Sequence, residues 1–428
     1  MKTALYLSGV IPRLDMKKVP SWLCAQCKGV RRLCGRAKCP ILERLEAQLQ
    51  VDWRARRDSL FGATPPAVLV GEHGYPRVKV GPLIPPVAGE EAAIYEDPSS
   101  WYGKSVEEII KLRSQLARPS FQVEVERASN PPRLLQSVQE MVLSAKPVDA
   151  EVKFAKPLSL RLRFDGIVSP IGPSAPLSKL DVVGNPVVPR KVDQLVGDLD
   201  VKAYVAVSEL YQHGVPVHYI SRLLTIGLLG RKIDRRIVPT RWGITAVDSM
   251  VGDFLLEKVK EYPEVNEVLL YSNSYLDNHY HILLIPGSYA FEMLEMWLPK
   301  SVWVKEGSSS FIVENFELFD GKWVKDEVDG GYKAMRLAVL EHLHRMRRQA
   351  IVVAIREIGP GYYAPLGVWN VREGMRHAFI KEAEKFSSVE EAVIALAKRV
   401  RTSFKQWFGE AKLLSSVLKQ KKLLEYLK

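Results

Sequence analysis

The sequence predicts an α+β fold, with a mixed sheet core wrapped by helices, a small four-cysteine zinc knuckle at the N-terminus and a mainly helical C-terminal region. Three observations carry this. Glu267–Asn273 and Asn278–Ile285 are long apolar runs separated by Ser274–Asp277, which reads as a hairpin whose strands are buried on both faces and so lie centrally in a sheet. Leu158, Leu160, Leu162 and Phe164 alternate with Ser159, Arg161 and Arg163, the period of a strand with one wet face. Elsewhere apolar residues recur at three- and four-residue spacing, as on helices with one buried stripe.

All four cysteines of the 428-residue chain fall in one short stretch, Cys24, Cys27, Cys34 and Cys39. The spacing is C-x2-C, a six-residue gap, then C-x4-C. Four thiolates so placed can close a tetrahedron on one metal, and a loop this small has no core of its own without one. Disulfide frameworks belong to small cysteine-rich secreted chains, and catalytic zinc usually recruits histidine, none of which is near. The expected cofactor is therefore structural Zn2+. Arg31, Arg32 and Arg36 sit between the ligands and make the knuckle basic.

The net charge of +12 is uneven. Residues 1–60 hold 13 Lys and Arg against 5 Asp and Glu, residues 331–428 hold 19 against 9, and the middle holds 29 against 35. Cations gathered at both ends fit a polyanion, with nucleic acid as the leading partner. No run reaches the roughly twenty apolar residues of a membrane span, and the first residues lack a secretory pattern. A soluble, cytoplasmic protein is expected.

In chain order, a helix is expected over 40–57 with Leu42, Leu45, Leu49 and Trp53 as its stripe. Extended chain and short strands fit the Pro- and Gly-rich 61–103. Helices follow at 105–117 and 132–145, strands at 151–154 and 158–164, and two Pro-shaped loops at 169–176 and 183–191. Asp193, Asp198 and Asp200, with Lys202 close by, allow two readings. They could hold Mg2+ or Mn2+ beside a scissile phosphate, or Asp198 or Asp200 could cap a helix over 201–212 stopped by Gly214; the cap is favoured. A helix over 217–229 follows. The segment around it carries Arg222, Arg231, Arg235, Arg236 and Arg241, and Arg241 beside Trp242 in a tight loop at 237–243 offers a phosphate fork and a base-stacking face. His279 and His281, two apart on one strand, share a side and are candidates for acid/base or metal chemistry, though a hydrogen-bonded structural pair is commoner. A helix to Trp297, strands at 301–305 and 311–319, and helices over 332–355, 371–385 and 388–408 complete the reading. The 332–355 helix presents Arg345 and Arg348 to a phosphate backbone. No Walker loop or GxGxxG is present. The divisions expected are 1–57, 58–330, 331–415 and a flexible tail at 416–428.

That tail ends in Gln420-Lys421-Lys422-Leu423-Leu424-Glu425-Tyr426-Leu427-Lys428. Gln420 would anchor by hydrogen bonds while one helical turn brings Leu423 and Tyr426 together, with Leu427 beside them, as a plug for an apolar pocket. This matches the peptide by which many DNA-processing proteins dock on the sliding clamp. The knuckle, Ser-Pro-Ile-Gly-Pro-Ser-Ala-Pro at 169–176, Val-Pro-Thr-Arg-Trp-Gly-Ile-Thr-Ala-Val-Asp at 238–248, Asn-Ser-Tyr-Leu-Asp-Asn-His-Tyr-His at 273–281 and the terminal peptide together resemble the archaeal Nre family of DNA-repair proteins. The resemblance spans essentially the whole chain and implies repair of damaged DNA in association with the sliding clamp. The residues alone leave two rivals, a metal-dependent nuclease or phosphodiesterase and an RNA-binding factor.

Overall fold

The computed structural model describes residues 19–36, 38–52, 59–64, 67–158, 170–301, 304, 309–322 and 330–419. Helices α1 (Ser21–Cys27) and α2 (Pro40–Leu49) bracket the cysteine loop. Then come β1 (Ser59–Thr64), β2 (Val68–Val70), β3 (Arg77–Pro82), α3 (Val106–Ser114), β4 (Arg118–Glu124), α4 (Arg133–Leu143), β5 (Val148–Phe154) and β6 (Ser174–Val182). Helices α5 (Arg190–Gly197), α6 (Ala203–Gln212), α7 (Val217–Thr225) and α8 (Thr240–Val259) lead to β7 (Val268–Tyr275), β8 (Asn278–Ile285), β9 (Ala290–Trp297) and β10 (Phe311–Glu317). Next are α9 (Gly330–Met346), β11 (Ile351–Ile358), α10 (Trp369–Ala378), β12 (Glu384–Phe386), α11 (Val389–Ala397), α12 (Phe404–Glu410) and α13 (Lys412–Lys419).

The strands form two six-stranded mixed sheets, ordered β1-β5-β6-β4-β3-β2 and β10-β9-β11-β8-β7-β12. One parallel pair stands in each, β4 with β6 and β9 with β11. The expected hairpin is present: β7 and β8 are joined by Leu276 and Asp277, both at positive φ (51° and 53°), the twist that two-residue hairpin turns require. Its apolar runs are continuous because both faces are covered. Tyr280, Ile282 and Leu284 of β8 join the main core with α8 and α9, while Leu283 and Ile285 face Leu396, Trp407 and Leu414 of α11, α12 and α13. The main core runs on through α7 and α4 to the first sheet. Helix α10 lies directly on β8: a Cβ at Gly374 would come 2.3 Å from the Tyr280 ring, so any larger residue there would lift the helix off the sheet. Helix α3 begins with a capping box, in which Ser105 Oγ accepts the Glu108 N–H and Glu108 accepts the Ser105 N–H.

Several elements differ from the sequence reading, each for a physical reason. The expected helix ending at Trp297 is strand β9, with every position buried. Its Met, Leu and Glu favour a helix in isolation, but the two glutamates are met by tertiary partners, Glu292 by the backbone N–H groups of Leu413 and Leu414 and Glu295 by Arg356. The expected helix over 332–355 stops at Met346, and its β-branched end forms β11 between β8 and β9. The C-terminal region thus supplies strands to the second sheet and is not only helical. The expected 371–385 and 388–408 helices are α10 with β12, and α11 with α12. From Thr240 the loop expected at 237–243 is the first turn of the 20-residue α8, and the last three residues of the 169–176 loop begin β6. Residues 416–419, expected as part of a flexible tail, continue α13, with Val417 and Leu418 packed on the second sheet's outer cluster. The strand at 158–164 lies outside the described residues apart from Leu158, as do Trp53 and most of 301–305.

Candidate nucleic-acid interface

At the N-terminus of α8 the structure brings together a pair of exposed rings, of which the sequence singles out only one. Trp242 is 42% exposed and Tyr75 is 52% exposed, and their rings lie 5.3 Å apart at 49°. Tyr75 sits at the tip joining β2 to β3, and Thr240 Oγ1 accepts the Val70 N–H at 2.8 Å, tying that hairpin to α8. Arg241 pairs with Glu72 at 3.3 Å while staying 63% exposed. Two apolar rings left in water beside a guanidinium form a surface on which a base can stack. The signal for Tyr75 is an aromatic at a Gly-Pro tip between two short strands, in a segment whose composition by itself says only extended chain.

The remaining arginines divide by their partners. Arg31 and Arg32 are exposed on the cysteine loop, and Arg345 and Arg348 are exposed at the end of α9. Arg36 is buried and its Nε donates to the Tyr363 carbonyl at 3.0 Å, so it fastens the loop to the body instead of facing a ligand. Arg235 is likewise structural: it is buried and donates to the carbonyls of Gly230, Val196 and Asp198. Arg231 pairs with Asp234, and Arg236 donates to the Ile233 and Arg235 carbonyls. Arg222, on α7, is partly buried with its guanidinium 5.0 Å from the Tyr219 ring.

The acidic candidates do not converge. Asp193 is in the first turn of α5. Asp198 Oδ1 accepts the N–H groups of Asp200 and Val201 in a tight turn, and α6 begins only at Ala203 with Lys202 before it, so neither aspartate caps that helix. Among the described residues no three His, Cys, Asp or Glu side chains are grouped to hold a metal ion. The two histidines share a side of β8 and each bonds a serine, His279 with Ser274 at 2.8 Å and His281 with Ser272 at 2.9 Å. His279 also lies 3.1 Å from Asp277, whose other oxygen accepts the Gly361 N–H. Burial, aided by Arg399, pushes His281 down to about 4, so it is neutral at pH 7.

The four cysteines line one cavity of about 20 Å³ together with Val19, Arg36 and Ile41. Cys24 and Cys27 lie on α1, and Cys39 immediately precedes α2. The chain folds back between them through Gly29 at φ 78°, where a Cβ would lie 2.5 Å from Leu42 Cδ1 and 3.2 Å from Cys39 Sγ. Burial raises the Cys24 pKa, and the neighbouring thiols Cys34, Cys39 and Cys27 raise it further against the opposing Arg36. The donor set is right in kind and number for a structural zinc, although the thiols are not drawn together as ligands. Gln420, Leu423, Tyr426 and Leu427 lie outside the described residues. No helix among the described residues is long and apolar enough to cross a membrane.

The family model described as archaeal Nre, N-terminal, matches residues 33–304, and the one described as archaeal Nre, C-terminal, matches residues 317–426. The chain is 39% identical over 386 residues to the DNA repair protein NreA of Archaeoglobus fulgidus, covering 90% of this chain and 95% of that one. It is 35% identical over 391 residues to the DNA repair protein NreB of the same organism, covering 91% and 96%. Similarity to the DNA repair protein NreA of Haloferax volcanii is 35% over 367 residues, 83% of this chain and 87% of that one. No solved structure matches. The chain belongs to the archaeal Nre family.

Proposed function

We propose that this protein is a DNA-repair factor that binds damaged or branched DNA through its basic surfaces and the aromatic pair, and is recruited to the sliding clamp by its terminal peptide. The observation that carries the DNA-binding part is the exposed Trp242–Tyr75 pair beside Arg241 in a chain of net charge +12. Its relatives NreA and NreB are DNA repair proteins, which supports a repair role. Stacking is indifferent to sequence because every base has a π-face, and phosphate contacts carry no sequence information, so the binding is broad and falls steeply with salt. Tethering by Gln420, Leu423, Tyr426 and Leu427 makes weak binding sufficient by raising local concentration. Zn2+ on Cys24, Cys27, Cys34 and Cys39 would draw the thiolates together and fix α1 against α2, holding Arg31 and Arg32 on a rigid loop. The metal-nuclease reading gains nothing from Asp193, Asp198 and Asp200, which are not grouped among the described residues.

The test is fluorescence anisotropy on single-stranded, duplex and branched DNA across a salt series. Trp242→Ala should weaken binding to single-stranded or branched DNA by roughly tenfold, the scale of one lost stacking contact. Equal affinity for the variant would remove the interface. An RNA copy of the same panel at fixed salt separates the RNA-binding rival, calorimetry with the purified clamp and Tyr426→Ala tests recruitment, and elemental analysis tests zinc.

A further inference from the structure

One carboxylate, Glu96, is bonded to one arginine and lies within the electrostatic reach of two more, the three coming from three elements. Arg113 of α3 donates Nη1 to Glu96 Oε1 at 2.5 Å, and Glu96 also feels the charges of Arg222 from α7 and Arg118 from β4. The Arg113 and Glu96 side chains are 27% and 12% exposed. At the rim, His218 and Asp97 lie 3.9 Å apart and are 29% and 36% exposed. Asp97 is already engaged, its Oδ1 accepting the backbone N–H and hydroxyl of Ser99. Arg372 and Arg376 of α10 also act on His218, each while paired with carboxylates of its own, Asp248 for Arg372 and Glu341 and Glu373 for Arg376. The Nε atoms of Arg118 and Arg222 are buried without a hydrogen-bond partner among the described residues. The rings of Trp101 and Tyr219 lie 5.5 Å and 5.0 Å from the guanidiniums of Arg113 and Arg222.

Guanidiniums taken out of water need anionic partners, and here three share two carboxylates, Glu96, which acts on all three, and Asp97, which acts on Arg222. Burial pushes both Arg118 and Arg222 down to about 10, Arg118 with the help of Arg113 and against Glu96, and Arg222 against Tyr219, Glu96 and Asp97. Burial also raises Glu96 itself, against the opposing charges of Arg113, Arg222 and Arg118. At pH 7 the cluster is left short of negative charge. A phosphomonoester carries nearly two negative charges and three unesterified oxygens, and it matches planar guanidinium forks better than an internal diester with one charge and two free oxygens.

We propose that Arg113, Arg118 and Arg222 around Glu96 form a binding site for a terminal phosphate group, carried by a nucleic-acid end or by a mononucleotide. The nucleic-acid source rests on the DNA-binding reading above, whereas the site itself does not. The full-length protein is melted in inorganic phosphate and in chloride at matched ionic strength, and anisotropy compares one oligonucleotide bearing a 5′-phosphate, a 3′-phosphate or hydroxyl ends, with a mononucleotide as competitor. Phosphate should raise the melting temperature, and a phosphorylated end should bind about tenfold tighter than a hydroxyl end, the scale of one or two charge-assisted hydrogen bonds. Arg222→Gln should abolish both effects, while Glu96→Gln, which keeps an acceptor for Arg113 and removes the competing charge, should strengthen them several-fold. Opposite signs in the two variants separate ligand binding from a general loss of fold. Phosphate stabilisation with competition by the mononucleotide but no preference among ends assigns the site to the small molecule. Absence of phosphate stabilisation together with equal binding of all ends overturns the proposal, and binding of the hydroxyl-ended strand then still reads the DNA-binding function separately.

Discussion

The interior of the second sheet and the Glu96 cluster both bury arginines, and they do it in opposite ways. Behind the second sheet each guanidinium has its own carboxylate: Arg336 Nε with Glu317, Arg356 Nη1 with Glu295 and Arg372 Nη2 with Asp248, all at 2.6 Å and all at most 6% exposed. Arg356 is satisfied further by Asn278 Oδ1, which accepts both Nε and Nη2. Burial works against its charge, but Glu295 more than reverses that and the pKa of Arg356 is raised. Around Glu96 three guanidiniums share two carboxylates, Glu96 and Asp97, and two of them are pushed down. A balanced pair is scaffold, because nothing further is gained by bringing it a ligand. A cluster short of anions costs stability and leaves room for one.

The comparison breaks most visibly by truncating one arginine from each region. Arg356→Met strands Glu295 and Asn278 in the core, and removing one partner of a buried pair costs about 3–5 kcal/mol. Arg222→Met removes a charge that its surroundings only partly compensate, and should cost about 1 kcal/mol or less. Urea denaturation monitored by circular dichroism reads both. Equal losses would mean that Arg222 is as fully partnered as Arg356.

The two regions also differ in how much of them can be read from the sequence. The β7–β8 hairpin is legible because its apolar runs and tight turn are local signals. So is the N-terminus of α3, where Ser105 and Glu108 stand at capping-box spacing. Strand β9 is not legible, since Glu292 and Glu295 look like surface residues until partners more than fifty residues away are known. Arg36 and Arg235 read as nucleic-acid ligands for the same reason: a charged residue on a loop gives no hint that distant carbonyls will take its hydrogen bonds. The Trp242–Tyr75 pair is half visible because each ring is local but their meeting is not. The Glu96 cluster is invisible except for Arg222, because α3, β4 and α7 contribute one arginine each over a span of more than a hundred residues.

Glu292 sharpens the comparison from the acidic side, as a buried carboxylate held by backbone N–H groups where its neighbours on the sheet have arginines. Burial pushes it up to about 7, against the helpful N–H groups of Leu413 and Leu414 and with Glu314 adding to the rise; Lys412 lies 3.4 Å from Glu314 on the outer side. The folded pKa is above the unfolded value, so the folded state binds more protons. The stability this group contributes is complete below about pH 4.5 and is lost as pH rises toward 7, by roughly 3 kcal/mol at most. Melting temperature should therefore fall between pH 5 and 8 through this residue, and Glu292→Gln should flatten that part of the profile. A slope unchanged in the variant would place the titration elsewhere.

The smallest expected effect is the strength of the single direct pair in the Glu96 cluster. In a double-mutant cycle with Glu96→Ala and Arg113→Ala, the coupling should be about 0.5–1 kcal/mol, because the pair is partly solvated and Glu96 divides its attraction among three cations. The same cycle at Glu295 and Arg356 should give several times more, since that pair is nearly dry. Repeating the Glu96 cycle in inorganic phosphate sharpens the contrast. An anion held by the three arginines competes with Glu96 for Arg113 and should weaken their coupling, whereas a cluster that takes no anion should give the same value in both buffers.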